Sequence, residues 1–176
     1  DLDTDAYISL INSKTKLAAV VHVSNAIGTV NPIERIIEAA KAKGVATLID
    51  AAQSIQHMEL DVQALDCDFL VFSGHKMFAP TGIGGLFGRR SLLDKMRPYQ
   101  GGGDMIAHVS FEGTTYKEPP SRFEAGTPHI AGGIGLGVAI DYIQAIGRSV
   151  IHDYESQLIE YAATRLKNAP GVQLIG

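Results

Sequence analysis

Three short runs of apolar, mostly β-branched residues constrain the fold of this chain more than any other feature. Leu17–Ser24, Val45–Asp50 and Asp68–Ser73 are nearly continuous in apolar side chains. A strand that is exposed on one face alternates apolar and polar residues, whereas a strand that is buried on both faces does not. The three runs therefore predict strands inside a parallel sheet.

Helical patterns separate these predicted strands. Pro32 stands at the first turn of a predicted helix, and Gly44 follows the last apolar position, which is typical of a helix that begins and ends there. The apolar positions at three- and four-residue spacing are Ile33, Ile36, Ile37 and Ala40. A short helix is also expected near residues 51–56. Strands that alternate with helices indicate a doubly wound α/β fold.

The second half of the chain predicts a change in strand direction and then mainly helices. Gly84–Arg89 is a fourth strand candidate, and it should run antiparallel because only Met77–Ile83 separates it from the third. Beyond it we expect a short helix at Ser91–Met96, a long functional or interfacial loop at Gln100–Pro128, and helices at about 133–146 and 149–168. The predicted fold is a three-layer, mostly parallel but mixed sheet with helices on both faces.

Composition narrows the classes of function. The chain has 176 residues, 45% of them hydrophobic, which is enough for a real core. Its charge of −4 includes no basic run, and no apolar stretch approaches the ~18 residues that span a bilayer. The only cysteine, Cys67, excludes an internal disulfide and a multi-cysteine zinc site. We therefore expect a cytoplasmic protein with no metal site and with neither nucleic acid nor membrane as a partner.

Polar side chains follow each of the first three predicted strands. In open α/β sheets, ligands bind at the carboxyl ends of the strands. The residues at those positions are Asn25, then Asp50 and Gln53, then Ser73, His75 and Lys76. An acid, two amides, a hydroxyl, an imidazole and an amine at one edge are more than a packing core needs. This edge is the predicted ligand site.

The segment Phe72–Lys76, followed by Ala79–Gly84, closely resembles the lysine segment of class V aminotransferase-type enzymes that use pyridoxal 5'-phosphate (PLP). Among these enzymes it looks most like the cysteine desulfurase and selenocysteine lyase branch. Further matching segments are His22–Asn25 with Gly28, Asp50–Gln53, Asp61–Val62 with Asp66, Gly101–Gly103 and Arg122–Pro128. The resemblance covers nearly the whole chain.

The resemblance implies roles for individual residues around the cofactor ring. Lys76 would be the Schiff-base lysine, which must be able to lose its proton near neutral pH. Asp50 would face the protonated ring nitrogen, although it could instead cap the helix that follows. Gln53 would bind the phenolic oxygen of the ring and Asn25 would lie near the substrate. Both amides could equally satisfy local backbone groups.

The resemblance also implies ligands for the cofactor phosphate. Ser73 and His75 would donate hydrogen bonds to it, and Thr127 would serve the phosphate of the neighbouring subunit. A homodimer with shared active sites is therefore expected. Cys67 is interpreted as structural and not as a nucleophile, because the flanking acids Asp66 and Asp68 disfavour a thiolate.

The function implied for the intact enzyme is PLP-dependent cysteine desulfuration. L-cysteine would yield L-alanine, and its sulfur would pass as an enzyme persulfide to a possible acceptor protein for iron–sulfur cluster or other assembly. Residues 1–130 would be part of the PLP-binding large domain, and residues 131–176 would lead into a truncated small domain. The persulfide cysteine and the arginine for the substrate carboxylate are expected outside these residues, so this segment alone should be inactive.

Three alternatives belong beside this interpretation. Another class V reaction, such as that of a selenocysteine lyase, an aminotransferase or a kynureninase, stays open. A non-catalytic binding module of the same fold stays open as well. A dinucleotide-binding domain is disfavoured because no G-x-G-x-x-G follows the first predicted strand.

Overall fold

The computed structural model describes residues 2–175. Its helices and strands are, in chain order, α1 (Thr4–Leu10), β1 (Leu17–Val21), α2 (Ile33–Ala42), β2 (Ala46–Asp50), α3 (Val62–Leu65), β3 (Phe69–Ser73), β4 (Gly84–Gly88), α4 (Arg90–Leu93), β5 (Ile106–Val109), β6 (Thr114–Tyr116), α5 (Ile130–Ile146) and α6 (Arg148–Lys167). Two short 3₁₀ helices, Gly74–Met77 and Ser121–Phe123, precede β4 and α5 respectively.

The main sheet has four strands in the order β1-β2-β3-β4. The first three strands run parallel, and β4 returns antiparallel to β3, which confirms the predicted mixed sheet. The register aligns Val21, Asp50 and Val71 across the three parallel strands, so these residues share one level and one face of the sheet. At the end of β3, Ser73 pairs with Gly84.

The core lies where α2 packs on one face of this sheet. The apolar positions predicted for α2 are all buried. Its three isoleucines pack with side chains from the three parallel strands, including Val20, Ile49 and Leu70, and Ala40 packs in a second cluster with Ala18 of β1. Tyr7 of α1 packs against the same side chains, and its hydroxyl donates a hydrogen bond to the Ala19 carbonyl at 3.0 Å. On the other face, Leu17, Val21 and Leu86 keep substantial exposure.

A network of charged groups closes the amino-terminal end of β3, away from the predicted ligand edge. The Asp68 carboxylate accepts hydrogen bonds from the Thr47 backbone N–H at 2.9 Å and from Arg89 Nε at 3.0 Å. Asp66 forms ion pairs with Lys41 and Arg89. Cys67 lies between the two acids and is fully buried, and this burial raises the pKa of its thiol. The geometry gives this cysteine a packing role.

Two local predictions were wrong. Residues 51–56 form a series of hydrogen-bonded turns instead of a helix, because so short a segment makes too few successive i to i−4 bonds to offset helix nucleation. The stretch predicted as a long loop contains the antiparallel pair β5–β6, whose strands are joined across a turn at Gly113. The remaining boundaries moved by a few residues. For example, α5 begins at Ile130 and α4 ends at Leu93.

Within residues 2–175, no single helix is long and apolar enough to cross a bilayer. Among the described residues, α5 and α6 reach the length and apolar content of a membrane span only when they are taken together, and their helix axes differ by 73°.

Candidate active site

The carboxyl ends of β2 and β3 form the edge at which the predicted site residues meet. β2 ends at Asp50 and β3 ends at Ser73, and the two strands are parallel neighbours. The main chain of β1 is tied to the same edge, because the His22 backbone N–H donates to the Asp50 carbonyl at 2.9 Å. The strand order therefore places the acid and the hydroxyl at one side of the sheet.

Lys76 lies on the 3₁₀ helix Gly74–Met77, which begins directly after β3. The Gly74 N–H donates to the Ile83 carbonyl at 2.8 Å, and the Ala79 N–H donates to the Gly74 carbonyl at 3.1 Å. A Cβ atom at Gly74 would stand 2.9 Å from the Ile83 carbonyl oxygen, so only glycine fits there. Met77 is buried beside the half-buried Lys76. The backbone that carries the amine is therefore held in place before any ligand arrives.

Ser73 and His75 contact each other on either side of Gly74. The Ser73 hydroxyl oxygen lies 2.8 Å from His75 Nδ1. A hydroxyl and an imidazole can both donate hydrogen bonds to an anion, and His75 is exposed at the surface. The pair can present both groups to a phosphate.

Asp50 is half-buried, and its Oδ1 accepts a hydrogen bond from the Ala52 backbone N–H at 2.9 Å. This is the local backbone contact that the sequence left open as an alternative. Among the described residues, no hydrogen-bond partner is found for Oδ2 of the same carboxylate. One oxygen therefore orients the side chain, and the other is free to meet a protonated ring nitrogen.

The other predicted residues lie in three different connections. Gln53 is half-buried in the turns that follow Asp50, and Asn25 is exposed in a turn closed by the hydrogen bond from the Gly28 N–H to the Ser24 carbonyl. Thr127 is exposed just before α5. Within residues 2–175, no hydrogen bond joins Thr127 to Ser73, His75 or Lys76. The structure places Asp50 and Ser73 at the ends of neighbouring parallel strands, with His75 and Lys76 directly after Ser73, and leaves Thr127 in a separate segment.

One contact near the site had no signal in the sequence. His57 Nδ1 lies 2.8 Å from a carboxylate oxygen of Glu155, and this contact ties the turns that contain Gln53 to helix α6. The two residues are 98 positions apart, so local spacing could not have suggested the pair.

His22, directly after β1, is a buried titratable group. Only 4% of it is exposed, and its Nδ1 has no hydrogen-bond partner among the described residues. Burial lowers the pKa of His22, and the nearby Glu34 carboxylate opposes that shift more weakly. The imidazole is therefore held neutral in the folded state at neutral pH.

This lowered pKa predicts a pH-dependent stability. Below about pH 6.5 the unfolded chain binds a proton at His22 more readily than the folded chain does. The free energy of unfolding should therefore decrease as the pH is lowered through this range. Urea unfolding at about pH 7.5 and about pH 5.5 measures the effect. We expect a smaller loss in His22→Phe than in the unsubstituted protein, whereas His152→Phe, at an exposed position on α6, should behave like the unsubstituted protein. Equal losses in all three proteins would contradict the assignment.

The four grouped residues fit the chemistry of PLP. The Lys76 amine can attach to an aldehyde, the free oxygen of Asp50 can accept from a ring nitrogen, and the contacting Ser73 and His75 can donate to a phosphate. The class V aminotransferase family model matches residues 1–176.

The chain belongs to the aminotransferase class-V family.

Individual class V relatives agree with this assignment. The chain is 53% identical to a cysteine desulfurase of Serratia proteamaculans over 99% of its own length and 43% of the relative's. It is 51% identical to a cysteine desulfurase of Synechococcus elongatus, of which it covers 28%. The chain thus spans less than half the length of these curated relatives.

Solved structures show the same class V architecture. The cysteine desulfurase CsdA of Escherichia coli superposes with a TM-score of 0.92 at 38% identity, over 96% of this chain and 42% of that one. The cysteine desulfurase of Thermococcus onnurineus gives 0.89 at 43% identity, over 95% and 42%. A variant of the lyase C-DES, with glycine covalently linked to its PLP cofactor, gives 0.85 at 25% identity, over 97% and 46%. The family and this neighbour imply PLP as the cofactor.

Proposed function

We propose that this chain carries the cofactor site of a PLP-dependent cysteine desulfurase. The observation that supports this most is that Lys76, Asp50 and the Ser73–His75 pair all lie at the carboxyl ends of two neighbouring parallel strands. The chain that carries them matches the class V family model. The curated relatives at about half identity carry the name cysteine desulfurase. The reaction converts L-cysteine and a thiol into L-alanine and a persulfide.

Each grouped residue has one task in holding the cofactor. Lys76 Nζ would attach the aldehyde carbon, Oδ2 of Asp50 would accept from the ring nitrogen, and Ser73 with His75 would donate to the phosphate. Gln53 and Asn25 would hydrogen-bond the ring oxygen and the substrate side. When bound, PLP supplies an electron sink for the bond changes at the substrate Cα and Cβ.

Lys76 would also move a proton. Its Nζ would take the proton from the substrate Cα and return a proton to form alanine, as a general base and then a general acid. The rigid 3₁₀ helix around Lys76 keeps the amine on one side of the site while this exchange occurs. The anchor for Asp50 holds its carboxylate in place during the same steps.

The proposal extends to assembly. A row of apolar side chains on α5 is exposed, at Ile130, Ile134, Val138, Tyr142 and Ile146. An apolar patch of this kind is typical of a surface that another part of the protein or a second subunit covers. The proposed assembly is a homodimer in which Thr127 serves the neighbouring phosphate. A sulfur-acceptor protein, a role in iron–sulfur cluster assembly, a cytoplasmic location and the division into residues 1–130 and 131–176 are parts of the same proposal.

Product analysis tests the reaction. Residues 1–176 would replace the matching segment of the Serratia proteamaculans relative, and the purified chimaera would receive PLP, L-cysteine and dithiothreitol. We expect alanine and sulfide in equal amounts, because one sulfur leaves with each alanine formed. The isolated chain, assayed beside it, shows how much of the activity these residues support alone.

Other outcomes separate the alternative functions. Formation of a keto acid instead of alanine would indicate an aminotransferase. Turnover of L-selenocysteine without turnover of L-cysteine would indicate a selenocysteine lyase. A chimaera that binds PLP and releases no product from either amino acid would contradict both the desulfurase and the lyase proposals.

A further inference from the structure

Arg122 joins the segment before Thr127 to the end of α4. Its Nε donates to the Lys117 carbonyl at 3.0 Å, and its Nη1 donates to the carbonyls of Asp94 at 3.0 Å and Met96 at 3.4 Å. We infer that Arg122 is a positioning residue that sets the place of Thr127 for the cofactor phosphate. This inference rests on the proposed PLP site.

The chain between Arg122 and Thr127 has little freedom to absorb a shift. Arg122 lies in the 3₁₀ helix Ser121–Phe123, and the Gly126 N–H donates to the Gly103 carbonyl at 2.9 Å. A Cβ atom at Gly102 would stand 3.3 Å from the Cβ of Ala125, so the backbone segments around these two residues are in close contact. The turn at Thr127 is therefore anchored on one side by Arg122 and on the other by Gly103, and loss of the Arg122 contacts would leave it held by the Gly103 side.

The arrangement requires a guanidinium group. Its planar fork carries five N–H donors, which can reach backbone carbonyls in two different segments at once. A lysine ammonium ion is a compact point charge, and it cannot reach carbonyls in both segments at the same time. Arginine is thus matched to the three carbonyls.

A second arginine secures the same region independently. Arg90 pairs with Glu118 and Asp94, and it donates to the Pro119 carbonyl at 3.2 Å. The segment therefore stays attached to α4 when Arg122 is replaced. Loss of Arg122 should shift Thr127 without unfolding the chain.

The test compares PLP with pyridoxal, which has the same ring and aldehyde but no phosphate. Affinities are measured by absorbance titration of the chimaera with the Serratia proteamaculans relative and of its Arg122→Gln variant, because Thr127 is proposed to serve the phosphate of the neighbouring subunit. We expect Arg122→Gln to weaken PLP binding about tenfold, the cost of one hydrogen bond to a charged group. Pyridoxal binding should not change. A purely structural role would weaken both ligands equally.

Two further variants test whether the effect of Arg122 on PLP binding depends on Thr127. Thr127→Ala should weaken PLP binding by a similar factor, and adding Arg122→Gln to it should cause no further loss. Arg97→Gln is the matched control. It lines the same surface cavity as Arg122, and its side chain makes no hydrogen bond within residues 2–175. Arg97→Gln should bind both ligands like the unsubstituted protein.

The outcomes separate this inference from the function on which it rests. If the unsubstituted protein binds PLP and Arg122→Gln binds it equally well, the positioning role is wrong. Equal losses for PLP and pyridoxal would also overturn it. If the unsubstituted protein binds no PLP, the proposed cofactor site itself fails. Should Arg122→Gln not fold, Arg122→Lys provides the same comparison, because it loses the forked contacts while keeping the charge.

Discussion

Replacing Lys76 with alanine is expected to abolish the covalent attachment of PLP. The unsubstituted protein should develop a visible absorbance band with PLP, and borohydride should fix the cofactor to the chain. In Lys76→Ala both signals should be lost completely, since Lys76 is the lysine at the edge formed by Asp50 and Ser73. Absorbance spectra and the mass of the borohydride-treated chain measure the two effects.

The control for this experiment is another lysine of the same chain. Lys95 is exposed near α4, on the surface cavity that Arg122 also lines. Lys95→Ala should bind and fix PLP like the unsubstituted protein. A borohydride-stable adduct on Lys76→Ala would show that a different amine reacts, and it would contradict the assignment of Lys76.

Replacing Ile36 with alanine is expected to cause a large loss of stability. Ile36 is fully buried and packs in the cluster that joins α2 to the sheet. The lost transfer energy and the cavity together should lower the free energy of unfolding by about 2–5 kcal/mol. That loss is a large share of the stability of a typical domain. Urea unfolding followed by circular dichroism measures the change.

The comparison for Ile36→Ala is an apolar side chain that buries little surface. Leu10 on α1 is 73% exposed, and Leu10→Ala should change the free energy of unfolding by no more than about 0.5 kcal/mol. A similar cost at the two positions would mean that the packing of α2 on the sheet does not dominate the stability of this chain.

Much of the candidate site could be predicted from sequence because it depends on strand ends. Asp50 and Ser73 each end an apolar run, and parallel strands place their carboxyl ends together. Lys76 follows within three residues, so its position is set by the same strand. Asn25 and Thr127 belong to longer connections, whose course depends on contacts with other segments. The cofactor roles of all these residues stay predictions.

Contacts between distant segments could not be predicted in this way. His57 meets Glu155 across 98 residues, and Arg122 reaches carbonyls near α4 that lie 26 and 28 residues earlier in the chain. Neither contact leaves a local pattern. The turns at residues 51–56 were mistaken for a helix for a related reason, since a pattern over six residues does not show whether the hydrogen bonds will continue.

The sequence by itself determined the three parallel strands, helix α2 and the antiparallel return of β4, because hydrophobic periodicity and connection length are local properties of the chain. It also determined which polar groups stand at the strand ends. It did not determine that one face of the sheet is exposed at Leu17, Val21 and Leu86. Only the tertiary structure decided that β5 and β6 pair, that one oxygen of Asp50 is held by the Ala52 N–H, and that Arg122 bridges two segments. Those features depend on the final approach of backbone groups that are separate in sequence, and hydrogen bonds form only when that approach is close.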